Sequence, residues 1–320
     1  MDSIRVVLFT EVNSKLGSPF LSILHGHPNV ELAAVVTSPP GKLCSYFTDD
    51  EDPVDVADQA RALGVRVLRP RSVNDPEAVE ALAALEADHF LVGNFQQLLK
   101  PPLLDLPRRT AVNFHPSPLP AFAGLAPFYW MVREGASASS VSAIEMGRKL
   151  DDGDLLMQHH IPLSGRETGL ELRTMQERAN VLMLLDLIPH LVEDTLERTP
   201  QDVSRRSYYG RPRDEHYRLD FSLPAAVVER HVRAAYRSPG AWFTAPGGQR
   251  IRLLSAAYGE EERPALGERP PGTLVRDGGG LYVACADGDW LRLVTVECGG
   301  REVAVDDPAL ALLGEATTVG

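Results

Sequence analysis

Apolar positions in the first half of the chain fall in short blocks, separated by stretches with one apolar face. Residues 4–10 (IRVVLFT) run almost continuously apolar, as a strand buried on both faces requires. Residues 19–27 place Phe20, Ile23 and Leu24 on one side of a helix. A second strand is expected over 31–38, a helix over 52–63 stopped by Gly64, and a short strand over 65–68. Asp75-Pro76 opens another helix carrying Val79, Leu82, Ala83 and Leu85, with Pro in the first turn, where its missing N–H has no helical partner to lose. Residues 89–92 and 110–115 read as further strands. This alternation predicts an α/β class: a Rossmann-like, mostly parallel sheet with helices on both faces.

The pattern changes after residue 140. Residues 141–146 and 155–163 are both extended, with the turn Asp151-Asp152-Gly153-Asp154 between them. Residues 165–196 read as a long helix, its stripe running through Leu170, Met175, Leu182, Leu185 and Leu191, kinked or broken near Pro189. Two Pro, one Gly, several Arg and Tyr208-Tyr209 mark 199–214 as linker-like. One helix follows over 224–236. Strand-like runs then cover 241–245, 250–258, 272–276, 281–286, 290–297 and 302–305, punctuated by Gly-Gly and Asp-Gly turns. The expected organisation is a first domain over 1–200, a linker over 201–214, and a small β-barrel-like (OB-like) domain over 215–320. Residues 260–271 read as a connection, and the last dozen as a short terminal helix.

A chain of 320 residues with 44% hydrophobic and 24% charged positions suits two globular domains. No apolar run is long enough to span a bilayer, and the N-terminus lacks the basic start and long apolar core of a secretory signal. No membrane association is expected. The net charge of −12 argues against a diffuse nucleic-acid-binding surface. Cys44, Cys285 and Cys298 are odd in number and widely spaced, so neither a disulfide framework nor a Cys-rich zinc site is supported, and a reducing cytoplasm is the expected compartment.

The densest chemical signal is Asn113-Phe114-His115-Pro116-Ser117-Pro118-Leu119-Pro120-Ala121-Phe122-Ala123-Gly124. Strand alternation points Asn113 and His115 to one side, and three prolines then hold a rigid loop at the strand's carboxyl end. Open parallel sheets bind ligands at that edge. An amide beside an imidazole there can donate to an oxyanion and carry a proton. It can equally be a strand-end His bonded to a carbonyl, with Asn capping a turn. The acidic turn around Asp151 can orient a His, hold a metal or simply be solvated; its spacing is not that of an EF-hand.

Together these elements resemble the folate-dependent formyltransferases. Asn-x-His-x-Ser-x-Leu-Pro is followed by a Gly and then by Leu-Asp-x-Gly-Asp, with Asp151 standing 38 positions after Asn113. Residues 91–101 (LVGNFQQLLKP) resemble that family's pterin-pocket strand and loop, and residues 232–243 (VRAAYRSPGAWF) the opening of its C-terminal barrel. The chain departs at Ala123, where the family often carries Arg. The resemblance implies 10-formyltetrahydrofolate as formyl donor and Asn113, His115 and Asp151 as the catalytic group. It also implies a pterin pocket lined by Phe95, Gln97, Leu98 and Leu99, helped by backbone groups over 146–151, with no metal. Ser117 matches the family's Ser and is expected to position the His115 loop.

The turn after the first strand, residues 10–17 (TEVNSKLG), has no phosphate-binding Gly loop, which argues against the glycinamide ribonucleotide branch. The run Asp49-Asp50-Glu51-Asp52 occupies a region where tRNA formyltransferases carry a basic insertion, so a tRNA partner is disfavoured. Arg205, Arg206, Arg211 and Arg213 are the counter-evidence, although such a linker more often clamps domains. The expected reaction is formyl transfer to an amine of a small molecule, an amino sugar nucleotide or amino-acid-derived metabolite. Methionyl-tRNA formylation, hydrolysis of the donor and non-catalytic binding are the alternatives. The C-terminal domain is open to substrate binding, dimerisation or bracing; a homodimer is compatible with the sequence but not specified by it.

Overall fold

The computed structural model describes residues 3–47, 52–259, 267–286, 288–304 and 317–319. Along the chain run β1 (Ile4–Phe9), α1 (Gly17–Gly26), β2 (Val30–Val36), α2 (Val56–Ala62), β3 (Val67–Leu68), α3 (Pro76–Ala83), β4 (His89–Gly93), α4 (Pro101–Leu104) and β5 (Thr110–His115). Then come β6 (Ala123–Gly124), α5 (Pro127–Glu134), β7 (Ala138–Glu145), β8 (Leu155–Pro162), α6 (Gly169–Glu193), β9 (Tyr208–Tyr209), α7 (Asp214–Tyr217) and α8 (Ala225–Ala234). The last strands are β10 (Ala241–Thr244), β11 (Arg250–Ala257), β12 (Thr273–Asp277), β13 (Gly280–Ala284), β14 (Trp290–Cys298), β15 (Arg301–Ala304) and β16 (Thr317–Thr318). Two compact units form. One holds Met1–Gly124, Ala138–Pro162 and Arg173–Tyr208; the other holds Leu125–Ser137, Leu163–Leu172 and Tyr209–Gly320. Of the residues read as a linker, 201–208 therefore lie in the first unit and 209–214 in the second.

The first unit is built on a seven-stranded sheet in the order β3-β2-β1-β4-β5-β7-β8. Strands β1 to β5 run parallel, and β7 and β8 close the far edge antiparallel. Covering on both faces explains the continuous apolar run of β1, where Val6, Val7, Leu8 and Phe9 have no exposed surface. Phe9 packs on Phe90 at 5.0 Å and Phe20 on Phe114 at 4.8 Å between ring centroids. Each such ring contributes about 2–3 kcal/mol by burial. The strand order reverses between β1 and β4, so a crevice opens at the carboxyl ends of these strands, where α/β sheets take ligands.

Helix ends follow local chemistry. Asp55 caps α2 by accepting from Asp58 N at 2.8 Å, and Gly64 ends it at φ +73°. Gly26 is the last residue of α1 and does not form its C-cap. The chain leaves α1 through His27 in an extended conformation, and the His27 ring accepts from Asn29 N at 3.2 Å. Nor does Pro189 break α6, which continues through it to Glu193. The carbonyl deprived of its partner belongs to Leu185, an exposed position where water can satisfy it. Helix α5 has no counterpart among the sequence-predicted elements. Pro127 stands in its first turn and Gly135 at φ +72° ends it, both features that read as loop in a Pro- and Gly-rich stretch.

The second unit is an antiparallel sheet in the order β10-β11-β14-β13-β12-β16, with β15 added on β14. The expected connection over 260–271 lies partly, and the expected terminal helix mostly, outside the described residues. Helix α8 buries Ala225, Val228 and Val232, spaced for one helical face, and Phe221 meets Phe243 at 5.7 Å. His231 sits on the same stripe and is 8% exposed. Burial first, then Arg133 and Arg230, lower its pKa to about 4; only Asp220 opposes them. Unfolded, the same imidazole takes its proton near pH 6.5. Stability from this group is complete above pH 6.5 and is lost as pH falls towards 4, a total of about 3 kcal/mol. Urea denaturation across that window is expected to show the loss in the wild type and a flatter profile in His231→Gln.

Candidate active site

Strand β5 ends on His115 at the carboxyl edge of the sheet, and Asn113 lies two residues back on the same side. His115 is 5% exposed. The loop after it is tied down by hydrogen bonds. Ser117 N donates to His115 O at 2.9 Å and Ser117 Oγ donates to Ala121 O at 3.0 Å. Ser142 on β7 donates its hydroxyl to Ser117 O at 2.7 Å and accepts from Leu119 N at 3.3 Å. Gln158 on β8 donates to that hydroxyl at 2.8 Å and to Leu119 O at 3.2 Å. Ser117 thus positions the loop as expected; Ser142 and Gln158 carry no sequence signal of this role. The Asn113 side chain has no hydrogen-bond partner among the described residues and is part-exposed.

Asp151 comes to His115 from the turn between β7 and β8. Its Oδ1 lies 3.6 Å from His115 Nδ1, with the two side chains 11% and 6% exposed. That distance is an electrostatic contact, longer than a hydrogen bond. Asp151 Oδ2 accepts from Gly124 N at 2.9 Å, and the other imidazole nitrogen lies 3.4 Å from Phe122 O. The backbone of Asp151 is left-handed, at φ +50°. This uncommon conformation is held from outside. Arg206 donates to Asp151 O at 2.8 Å and Leu150 O at 2.7 Å, while Gln201 donates to Asp151 O at 3.1 Å and Gly153 O at 2.7 Å. Arg206, read as part of a domain clamp, is therefore the anchor of the acidic turn. Gly153 packs so tightly that a Cβ there would stand 1.7 Å from Glu145 O.

The candidate pocket residues separate. Phe95 packs edge-on against Phe9 at 5.6 Å, and Leu99 is 3% exposed within the same apolar cluster. Leu98 is 54% exposed. Gln97 accepts from Val73 N at 2.9 Å, while its buried Nε2 has no partner. Met146, at the start of the segment expected to offer backbone groups, donates its N–H to Ala111 O at 2.8 Å. Unforeseen beside them is Glu11, 1% exposed at the end of β1, whose Oε1 accepts from Gln96 N at 2.9 Å and whose Oε2 is unpartnered. Ala123, in place of the family's Arg, is fully buried and donates its N–H to Ser207 O.

His159 and His160 stay out of this group: His159 pairs with Asp186 at 3.2 Å, and the His160 ring meets Ser140 Oγ at 3.4 Å. Asp49, Asp50 and Glu51 lie outside the described residues. No group of three His, Cys, Asp or Glu able to hold a metal occurs among the described residues. What the site offers is an imidazole braced by a carboxylate, beside an amide free to donate. That pairs a proton carrier with a donor for a carbonyl oxygen.

Residues 4–187 match the Formyl transferase family, and residues 212–309 match the Formyl transferase, C-terminal domain family. The chain belongs to the formyl transferase family. A methionyl-tRNA formyltransferase of Synechococcus sp. is 35% identical over 72% of this formyl transferase and 73% of its own length. Two solved structures share the fold. WlaRD, a sugar 3N-formyl transferase solved in the presence of dTDP and 5-N-formyl-THF, aligns with TM-score 0.68 at 12% identity over 94% of this chain and 100% of its own. The N-formyltransferase of Helicobacter canadensis, in complex with folinic acid and dTDP-3-aminofucose, aligns with TM-score 0.66 at 13% identity over 91% and 98%. The sequence-based expectation against a tRNA partner has no support in the named relatives.

The packing at Gly153 carries a prediction. A side chain there meets backbone rather than a movable side-chain tip, so Gly153→Ala is expected to displace the turn and lower unfolding stability by about 1–3 kcal/mol. Thermal denaturation beside an Asp152→Ala control measures it.

Proposed function

We propose that this chain transfers the formyl group of 10-formyltetrahydrofolate to an amine on a small molecule, and that Asn113 and His115 act on the reacting atoms while Asp151 acts on His115. The observation that carries the reading is the approach of Asp151 to His115 beside an amide with no partner of its own. When bound, the folate supplies the formyl carbon. Asn113 would donate to the formyl oxygen as negative charge develops on it. His115 would take the proton from the attacking amine and return one to the departing nitrogen of the donor. Asp151, held by Gly124, would fix the orientation of the ring.

The chain's own residues fit a folate in one respect above others. Gln97 Nε2 is a buried donor without a partner, suited to the polar edge of a pterin. Leu98 is accessible for a flat ring, whereas Leu99 would serve from behind as core. The net charge of −12 supports a small acceptor over a polyanion, and three widely spaced cysteines suit a reducing cytoplasm. A second reading, methionyl-tRNA as acceptor, is supported by the 35%-identical relative.

Tetrahydrofolate formation from 10-formyltetrahydrofolate tests the proposal against amino sugar nucleotides, ornithine, hydroxyornithine, methionyl-tRNA and a no-amine control. Amine-dependent turnover is expected, falling about 10²–10⁴-fold in His115→Ala and about 10²–10³-fold in Asn113→Ala. Turnover confined to methionyl-tRNA moves the acceptor to the second reading. Equal turnover without amine makes the chain a hydrolase. A His115→Ala protein as active as wild type overturns the assignment of these residues.

A further inference from the structure

The second unit contains a cavity of about 580 Å³, whereas Asn113 and His115 belong to the first. Its size is that of small-molecule pockets. Arg133 from α5, Arg218 from the segment after α7, and His231 from α8 all line it. His231 is 92% buried, judged by its 8% exposure, and no hydrogen-bond partner for its ring occurs among the described residues. A neutral imidazole this deep normally satisfies at least one nitrogen. The ring lines a cavity instead.

Arg133 and Arg218 bring positive charge to the wall, and Asp220 is the carboxylate that faces Arg218 and His231. Arg133 commits Nη1 to Tyr129 Oη at 3.2 Å and His216 O at 2.6 Å, which fixes the guanidinium. Its Nη2 and Nε have no protein partner among the described residues. Arg218 interacts electrostatically with Asp220, and its guanidinium carbon stands 5.9 Å from the Trp242 ring. Of the two carboxylates on the wall, Glu215 is paired with an arginine and Asp220 is held ionised by neutral donors. Glu215 lies 2.5 Å from Arg213, and Asp220 Oδ1 accepts from Ser222 N at 2.9 Å and Ser222 Oγ at 2.6 Å. Leu223, Pro271 and Val319 supply an apolar wall.

We propose that this cavity binds a small organic phosphate, with Arg133, Arg218 and His231 around the phosphate and the apolar wall against the organic part. Two guanidinium groups and an imidazole, carried on α5, the segment after α7 and α8, bring N–H donors to one cavity, and a phosphate offers an acceptor oxygen to each. The apolar wall gives a phosphate ester an advantage over the bare ion. Asp220 is the one carboxylate facing His231; the other charges facing it, Arg133 and Arg230, are cationic.

Isothermal titration of the full chain with phenyl phosphate, inorganic phosphate and benzoate tests this, read beside the imidazole nitrogen resonances. Phenyl phosphate is expected to bind at least about tenfold tighter than either other probe. It should also move the His231 resonance, identified by its absence in His231→Gln. Arg218→Gln, an exposed change, is expected to weaken binding about tenfold or more with an unchanged circular dichroism spectrum. His115→Ala is expected to bind as the wild type does. No saturable binding of phenyl phosphate overturns the proposal. So does benzoate binding as tightly, affinity unchanged in Arg218→Gln, or affinity lost in His115→Ala.

Discussion

The left-handed backbone at Asp151 is the constraint on which the site rests. An L-residue seldom holds φ +50° without help, and here two side chains from one later segment grip the turn's carbonyls on either side of it. That conformation turns the carboxylate inward, with one oxygen on Gly124 N and the other facing the imidazole. Relax the turn and the charge returns to water, where it sits in most acidic hairpins. The strain is therefore a property of the fold, met before any ligand arrives, and the imidazole inherits a fixed electrostatic neighbour.

The two ends of the site are held by different means. His115 rides on a strand in the middle of a covered sheet, so its position follows from core packing. Asp151 rides on a surface turn, so its position follows from directed polar contacts. Core packing tolerates exchange among apolar residues of like volume, whereas each polar contact depends on one atom at one distance. Arg206 and Gln201 are thus more exacting positions than most of the apolar residues around β5.

Much of this was legible in the residues. The strand at 110–115 has the bounds its apolar pattern predicts, because Pro116 ends it and the preceding Arg108-Arg109 begin it. The parallel sheet was readable because its strands, covered on both faces, are almost wholly apolar. Asn113, His115 and Asp151 emerged from motif and spacing. Helix α5 did not emerge, since its first turn follows a run of Pro and Gly. Ser142, Gln158, Gln201 and Arg206 were invisible for another reason. Their roles depend on which backbone carbonyl lies within reach, and a Ser or Gln looks the same in a sequence whether it faces solvent or a loop. His231 was hidden by its surroundings, as one polar residue in an amphipathic helix.

The Ser142 hydroxyl links three segments distant in sequence: the proline-rich loop, β7 and, through Gln158, β8. Both side chains that secure the loop come from the antiparallel pair at the edge of the sheet, which leaves the ribosome after β5. A nascent chain that stops short of Ser142 can assemble the parallel strands yet has neither of these donors to fasten the loop beyond His115. The order of synthesis thereby separates two events, building the scaffold and setting the site, and the second waits for the edge hairpin.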